Sequence, residues 1–239
     1  MKREIKPVNQ PKGISSIPPT LRGAIRFLAL TGLMLMALFL SAGTFRWLEA
    51  WILLGMAVLN MVILAALLPS ELQTERNSDH ADVKIWDRWL APLVVVVFPL
   101  MVYLVAGLDY RHGWSPESSG WVKALGALGI FSGYILSDWA MLSNPFFSAN
   151  VRIQAERGHT VIEQGPYRWM RHPGYAGGLL AVLGIPFLLG SFWAFVPAGL
   201  WMGSYLLRTA MEDDTLKQEL NGYVDYTRQV RHRIFPGLW

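Results

Sequence analysis

Cysteine does not occur in this chain. Its absence excludes disulfides, a thiolate nucleophile, Cys-ligated zinc and iron–sulfur clusters. Charge is scarce as well: Asp, Glu, Lys and Arg make up 16% of the 239 residues, against about 25% in an ordinary soluble domain. Apolar residues reach 53% and gather into long runs, so the composition argues against a soluble globular protein and for a bilayer as solvent. The formal charge is only +4, and no basic block is interleaved with aromatics, which disfavours nucleic acid as a partner. His80, His112 and His232 show no ligand spacing, so no metal site is expected. There is no fixed-period repeat and no extended low-complexity tract.

What the sequence does contain is a series of spans. Phe27 to Phe45 holds nineteen residues without a charge, and a helix of that length extends about 28 Å, enough to cross a hydrocarbon core. Leu48 to Pro69, Trp89 to Leu108 and Trp121 to Leu142 give three more runs, the last carrying Asp138 near one end. Gly174 to Gly190 and Phe192 to Leu207 form a final pair joined at Gly190-Ser191, read as a tight helical hairpin. The first run follows a long polar leader and is quickly followed by a second, which disfavours a cleaved signal peptide. Residues 1–20, with Pro7, Pro11, Pro18 and Pro19, read as a flexible cytoplasmic tail. Residues 21–142 read as transmembrane helices one to four and 143–239 as a C-terminal region with the final hairpin and an amphipathic tail.

Six spans place eighteen of the twenty-one Lys and Arg residues on one side, with only Arg46, Arg111 and Lys123 on the other. By the positive-inside rule both termini are then expected in the cytoplasm. The fold expected is all-α, a polytopic membrane helix bundle of about six transmembrane helices.

Two polar concentrations stand out, residues 144–178 and 208–239. In Arg171-His172-Pro173-Gly174-Tyr175-Ala176-Gly177-Gly178, Pro173 suits the first turn of a helix. Its open N–H groups and positive dipole end suit a carboxylate or another anionic group. The glycines let a flat ligand or a neighbouring helix approach the backbone. Helix packing with a snorkelling Arg171 accounts for the same residues. Arg208 and Glu212 share a helical face four residues apart and read either as functional groups or as an ordinary ion pair, though Arg before Glu is the weaker order. Asp213 and Asp214 read as a solvated face. Leu216, Leu220, Tyr223 and Val224 supply an apolar stripe for an interfacial helix, with Tyr226, Phe235 and Trp239 as interfacial anchors. Asp138, an intramembrane carboxylate, is either functional or solvated through the headgroups.

RHPxYxG at 171–177, RxxxE at 208–212 followed by Leu216, and YxxY with a closing FPG at 223–237 together resemble the isoprenylcysteine carboxyl methyltransferase family, which also includes phospholipid methyltransferases. The likeness covers roughly the last hundred residues; the first three spans carry no signature. It implies an integral-membrane methyltransferase using S-adenosyl-L-methionine, bound in a cytoplasmic pocket closed by the tail. Carried across, Gln154, His159, Thr160, Val161, Ile162, Tyr167, His172, Pro173, Gly174, Tyr175 and Glu212 would contact the cofactor. Arg208 would face the methyl acceptor, and Arg208 and Glu212 would be the catalytic pair.

The residue chemistry agrees. The cofactor presents a sulfonium, a carboxylate, an amino group and an adenine, and these segments offer helix-end N–H groups, a carboxylate and aromatic faces. A sulfonium is already activated, so transfer asks for positioning and dryness more than for an acid or base. The expected partners are the lipid bilayer and a lipophilic or small-molecule acceptor, whose identity the sequence leaves open among carboxylate, amine and thiol. A sterol-reductase-like membrane reductase is disfavoured by the short chain and the missing dinucleotide fingerprint. A non-catalytic lipid-binding protein would require the two polar segments to be disordered.

Overall fold

A computed structural model describes residues 18–239 of the chain, so most of the tail expected over 1–20 lies outside the described residues. Nine α-helices and no strand occur among those residues: α1 Pro19–Ala42, α2 Leu48–Leu67, α3 Ser70–Asn77, α4 Ile85–Pro92, α5 Phe98–His112, α6 Gly120–Ser143, α7 Pro173–Leu189, α8 Phe195–Glu219 and α9 Tyr223–Gln229. Four stretches are helical, long and apolar enough to cross a membrane: Leu21–Ala42, Leu48–Leu67, Ile85–His112 and Gly120–Ser143. The protein is thus an all-α, polytopic membrane helix bundle.

Several boundaries differ from the sequence expectation. The first helix starts at Pro19 rather than Phe27, because proline at the first turn loses no hydrogen bond and the Arg22–Arg26 turn continues the same helix. The third begins at Ile85 and absorbs Pro92 through a wider π turn over Leu93–Val97, which accommodates the missing N–H and the ring. Helix α3 was not expected at all. Helix α7, Pro173–Leu189, has the expected 17 residues and starts one residue earlier than expected. Helix α8 runs 25 residues, so the charged RTAMEDDTLKQE segment prolongs the last apolar helix instead of starting a new one. The break falls later, at Gly222, whose φ of 83° suits glycine in the left-handed region.

Contacts distinguish two ends of the bundle. At one, Arg22 pairs with Asp79 at 2.7 Å and Lys84 with Glu219 at 2.6 Å. Arg152 there binds Glu75, Asp82 and Glu156 at 2.7–2.9 Å. At the other, Lys123 pairs with Glu49 at 2.6 Å, the Tyr110 hydroxyl donates to the Arg46 carbonyl, and buried Asp109 accepts from Ser115 and Ser191. The α7–α8 turn closes at this second end, through Gly190 in the left-handed region.

The glycines at the start of α7 resolve the two readings given to them. A Cβ on Gly177 would lie 2.4 Å from the Gly133 carbonyl of α6, and one on Gly184 2.5 Å from that of Gly126. Backbone meets backbone there, the small-residue packing of membrane helices. Gly178 faces the Tyr205 ring of α8, and Gly174 lies under Phe147. Close packing of α6, α7 and α8 therefore fixes where the polar ends of α7 and α8 emerge.

Candidate functional site

The C-terminal part of α8 carries Arg208, Glu212 and Asp213, and the start of α7 lies against it. Arg208 and Glu212 do not pair with each other. Arg208 sends Nε and Nη2 to the two oxygens of Asp87, at 2.7 and 2.9 Å, and Nη2 also donates to the Ala149 carbonyl. Both partners are buried. Asp87 sits in the first turn of α4 and accepts the Val151 N–H as well, at 2.7 Å. Glu212 instead accepts the Tyr175 hydroxyl, and the Arg208 guanidinium lies 5.7 Å from the centroid of the Tyr175 ring. The ordinary ion pair anticipated between positions 208 and 212 is replaced by two pairs, because an apolar surround selects the bidentate carboxylate geometry that guanidinium matches.

Asp213 is the largest departure from the sequence reading. Instead of a solvated face, its carboxylate is fully buried and accepts from Arg171 at 2.8 and 3.1 Å, Arg233 at 2.9 Å and the Tyr223 hydroxyl at 3.0 Å. Lys217 lies 2.7 Å away and His172 Nε2 3.3 Å away. Burial alone would raise its pKa, but hydrogen bonds from His172, Arg171 and Lys217 hold the carboxyl far below the usual carboxylate range. Arg171 does not snorkel: its Nη1 donates to the Val230 and Arg231 carbonyls at 2.8 Å. The amides of Arg171 and His172 donate to the His232 and Arg233 carbonyls. Tyr226 is no interfacial anchor either, being buried with its hydroxyl on the Tyr167 carbonyl at 2.7 Å. Leu220 and Tyr223 pack with it, whereas Val224 is exposed. Trp239 is capped by Arg233, 4.7 Å from its ring centroid, and Phe235 is half-buried. The tail is thereby strapped across the start of α7.

His172, Pro173, Gly174, Tyr175, Arg208 and Glu212 come together at one place. The His172 and Tyr175 rings stack at 5.9 Å, and Tyr175 meets Tyr205 edge-on at 5.8 Å. The amides of Tyr175 and Ala176 close on the His172 carbonyl, which leaves the Gly174 N–H as the open donor of this turn. Gln154 and His159 form a second group: Gln154 donates to the Phe146 carbonyl at 2.7 Å and accepts from Arg157, and the His159 ring packs on Phe146 at 4.5 Å. Burial, then Arg152 and Arg157, pull the His159 pKa down to about 4. Tyr167 is buried and Val161 packs with Tyr223 and Tyr226. Thr160 is exposed and Ile162 half-buried. The loop residues thus form a wall beside the α7–α8 group, joined to it where Phe147 covers Gly174.

Sequence reasoning missed Asp87, which lies 121 positions from Arg208 in a helix with no motif, and dismissed Asp213. The only signal for Asp213 was its i−4 spacing to Lys217.

The Gly174 N–H and the second oxygen of Glu212 make no hydrogen bond among the described residues. The family model for phospholipid methyltransferase matches residues 121–221. The match takes in α6, the 144–172 loop, α7 and α8, and so every residue of both groups. An uncharacterized protein of Bacillus subtilis (strain 168), YpbQ, is 34% identical over 76 residues, 32% of this chain and 44% of that protein. The chain therefore matches less than half the length of that relative. Fold and comparison together define a multi-pass membrane protein with a phospholipid-methyltransferase-like region over its C-terminal part.

Proposed function

We propose that the chain is an integral-membrane S-adenosyl-L-methionine-dependent methyltransferase acting on a lipophilic or small-molecule acceptor. The observation that carries this reading is the coincidence of the matched interval with the convergence of Tyr175, Arg208 and Glu212. When bound, the cofactor supplies an electrophilic methyl group on a sulfonium. The Gly174 N–H and Glu212 hold its polar ends, with the Tyr175 hydroxyl orienting Glu212. His172 and Pro173 set that turn, and Gln154, His159, Thr160, Val161, Ile162 and Tyr167 wall the pocket. Arg208, oriented by Asp87, keeps Nη1 for the acceptor. The strap held by Asp213 excludes water, which together with orientation is what such a transfer needs.

We further infer six membrane crossings, with α7 and the apolar half of α8 as the last two, and both termini and the site in the cytoplasm. The charge bias supports that orientation. Incubating the purified chain with methyl-labelled S-adenosyl-L-methionine and a membrane lipid extract tests the function. Label in a lipid-soluble product, absent with Tyr175→Ala, is expected; no incorporation into any fraction contradicts it.

A further inference from the structure

Helix α3 lies outside the interval 121–221 that the family model matches, yet two consecutive residues of it reach the 144–172 loop. Glu75 accepts from Arg152 at 2.8 and 3.1 Å. Arg76 grips Phe147 twice: its Nη1 donates to the Phe147 carbonyl at 3.3 Å, and its guanidinium carbon lies 5.5 Å from the centroid of the Phe147 ring. That ring packs with Leu68, Leu72 and Met141, and the Phe147 amide donates to the Asn144 carbonyl at 3.1 Å. Backbone and ring of this one residue are therefore both fixed.

On its other side Phe147 meets the start of α7. A Cβ on Gly174 would lie 2.8 Å from Cε2 and Cζ of the ring, closer than side chains approach one another. The ring edge thus stands where a side chain at position 174 would stand, against the backbone of the turn whose Gly174 N–H is open. Covering the loop alone would ask only for an apolar side chain, such as Leu72 supplies one turn before Arg76. A guanidinium adds a hydrogen bond to the carbonyl and an attraction to the ring, and so orients Phe147 as well as covering it.

We propose that Arg76 is a positioning residue: acting through Phe147, it holds the Gly174 turn in the form that binds the cofactor. This deepens the methyltransferase reading and rests on it for the identity of the ligand, while the clamp from Arg76 through Phe147 to Gly174 stands on the distances above. Arg76 works by preorganisation. A turn already held in its bound form loses less conformational freedom on binding, so releasing the clamp lowers affinity without removing any contact to the ligand. The N-terminal part of the chain, which carries no signature of the family, thereby contributes to the site.

Two readouts on the full chain in phosphatidylcholine nanodiscs test this: S-adenosylhomocysteine affinity by calorimetry and, without ligand, amide hydrogen exchange along α7. Arg76→Met keeps an apolar stem against the loop and loses the cation. It should retain a cooperative unfolding transition, exchange faster over residues 172–178 but not over 180–189, and bind S-adenosylhomocysteine about tenfold more weakly. Arg76→Lys should recover most of that affinity, since an ammonium also holds a carbonyl and a ring face. Phe147→Leu should weaken binding in the same way, and adding Arg76→Met to it should weaken it no further, because the first residue acts only through the second. Wild-type affinity in Arg76→Met, a lysine variant no better than the methionine one, additive losses in the double variant, or unchanged exchange over 172–178 would each overturn the proposal. A wild type that binds no S-adenosylhomocysteine, with the exchange pattern as expected, would instead remove the methyltransferase reading and leave the clamp on the turn standing.

Discussion

Two carboxylates decide what the individual residues of the polar end can do. An exposed ion pair contributes about 0–1 kcal/mol, but Arg208 and Asp87 are both buried, and removing one partner strands the other, at about 3–5 kcal/mol. Asp87→Ala should therefore lower the unfolding midpoint sharply, while Asp87→Leu combined with Arg208→Met recovers most of it; equilibrium unfolding of the wild type and the two variants in detergent checks this. A double variant no better than the single one would mean that the pair is not the unit. The pH profile belongs to the same scale. His159 has a depressed pKa, so between about 6.5 and 4 the unfolded chain takes up a proton that the fold refuses, and stability falls as pH falls through that window. Asp213, held ionised in the fold, adds a further loss below its ordinary value of 3.8. Thermal midpoints should decline from pH 6.5 to 4 and more steeply below. In His159→Asn the upper limb should flatten; an unchanged profile would reject the assignment.

Helices were the most legible elements, because apolar runs of bilayer length leave little freedom to the backbone. Their ends were not. Pro19 falls in the expected tail yet starts a helix, and Pro92, inside the third apolar run, is absorbed by a π turn. The Asp-rich segment after Leu207 looked like a solvated surface because sequence spacing does not reveal a strap returning from residues 230–233. The motifs around His172, Tyr175 and Glu212 are short and local, and the packing of α7 on α8 brings them together. Asp87 was not, for its partnership with Arg208 exists only in the folded bundle. Packing of α6 on α7 is the element-scale claim with the sharpest test: Gly133→Leu pushes a side chain into the Gly177 carbonyl, 2.4 Å from the first added carbon. That variant should be strongly destabilised, while Gly199→Leu, with nothing near it, should keep the wild-type midpoint. Equal midpoints would show that the helices separate freely.

At the scale of the whole molecule, α3, the 144–172 loop and the strap over 230–233 meet at one end of the bundle, through Arg76 on the Phe147 carbonyl, Arg152 on Glu75 and the Arg171 amide on the His232 carbonyl. Reporter fusions after residues 115 and 239 check the orientation. The first should report the exterior and the second the cytoplasm, and the reverse would place the site outside the cell. The account as a whole turns on a cofactor seated between the start of α7 and the end of α8. Calorimetric titration of the purified chain with S-adenosylhomocysteine measures that directly. Saturable binding near one molecule per chain, weakened at least tenfold in Glu212→Gln with the unfolding midpoint unchanged, is the expected result. No binding by the wild type, or equal affinity in the variant, would contradict it.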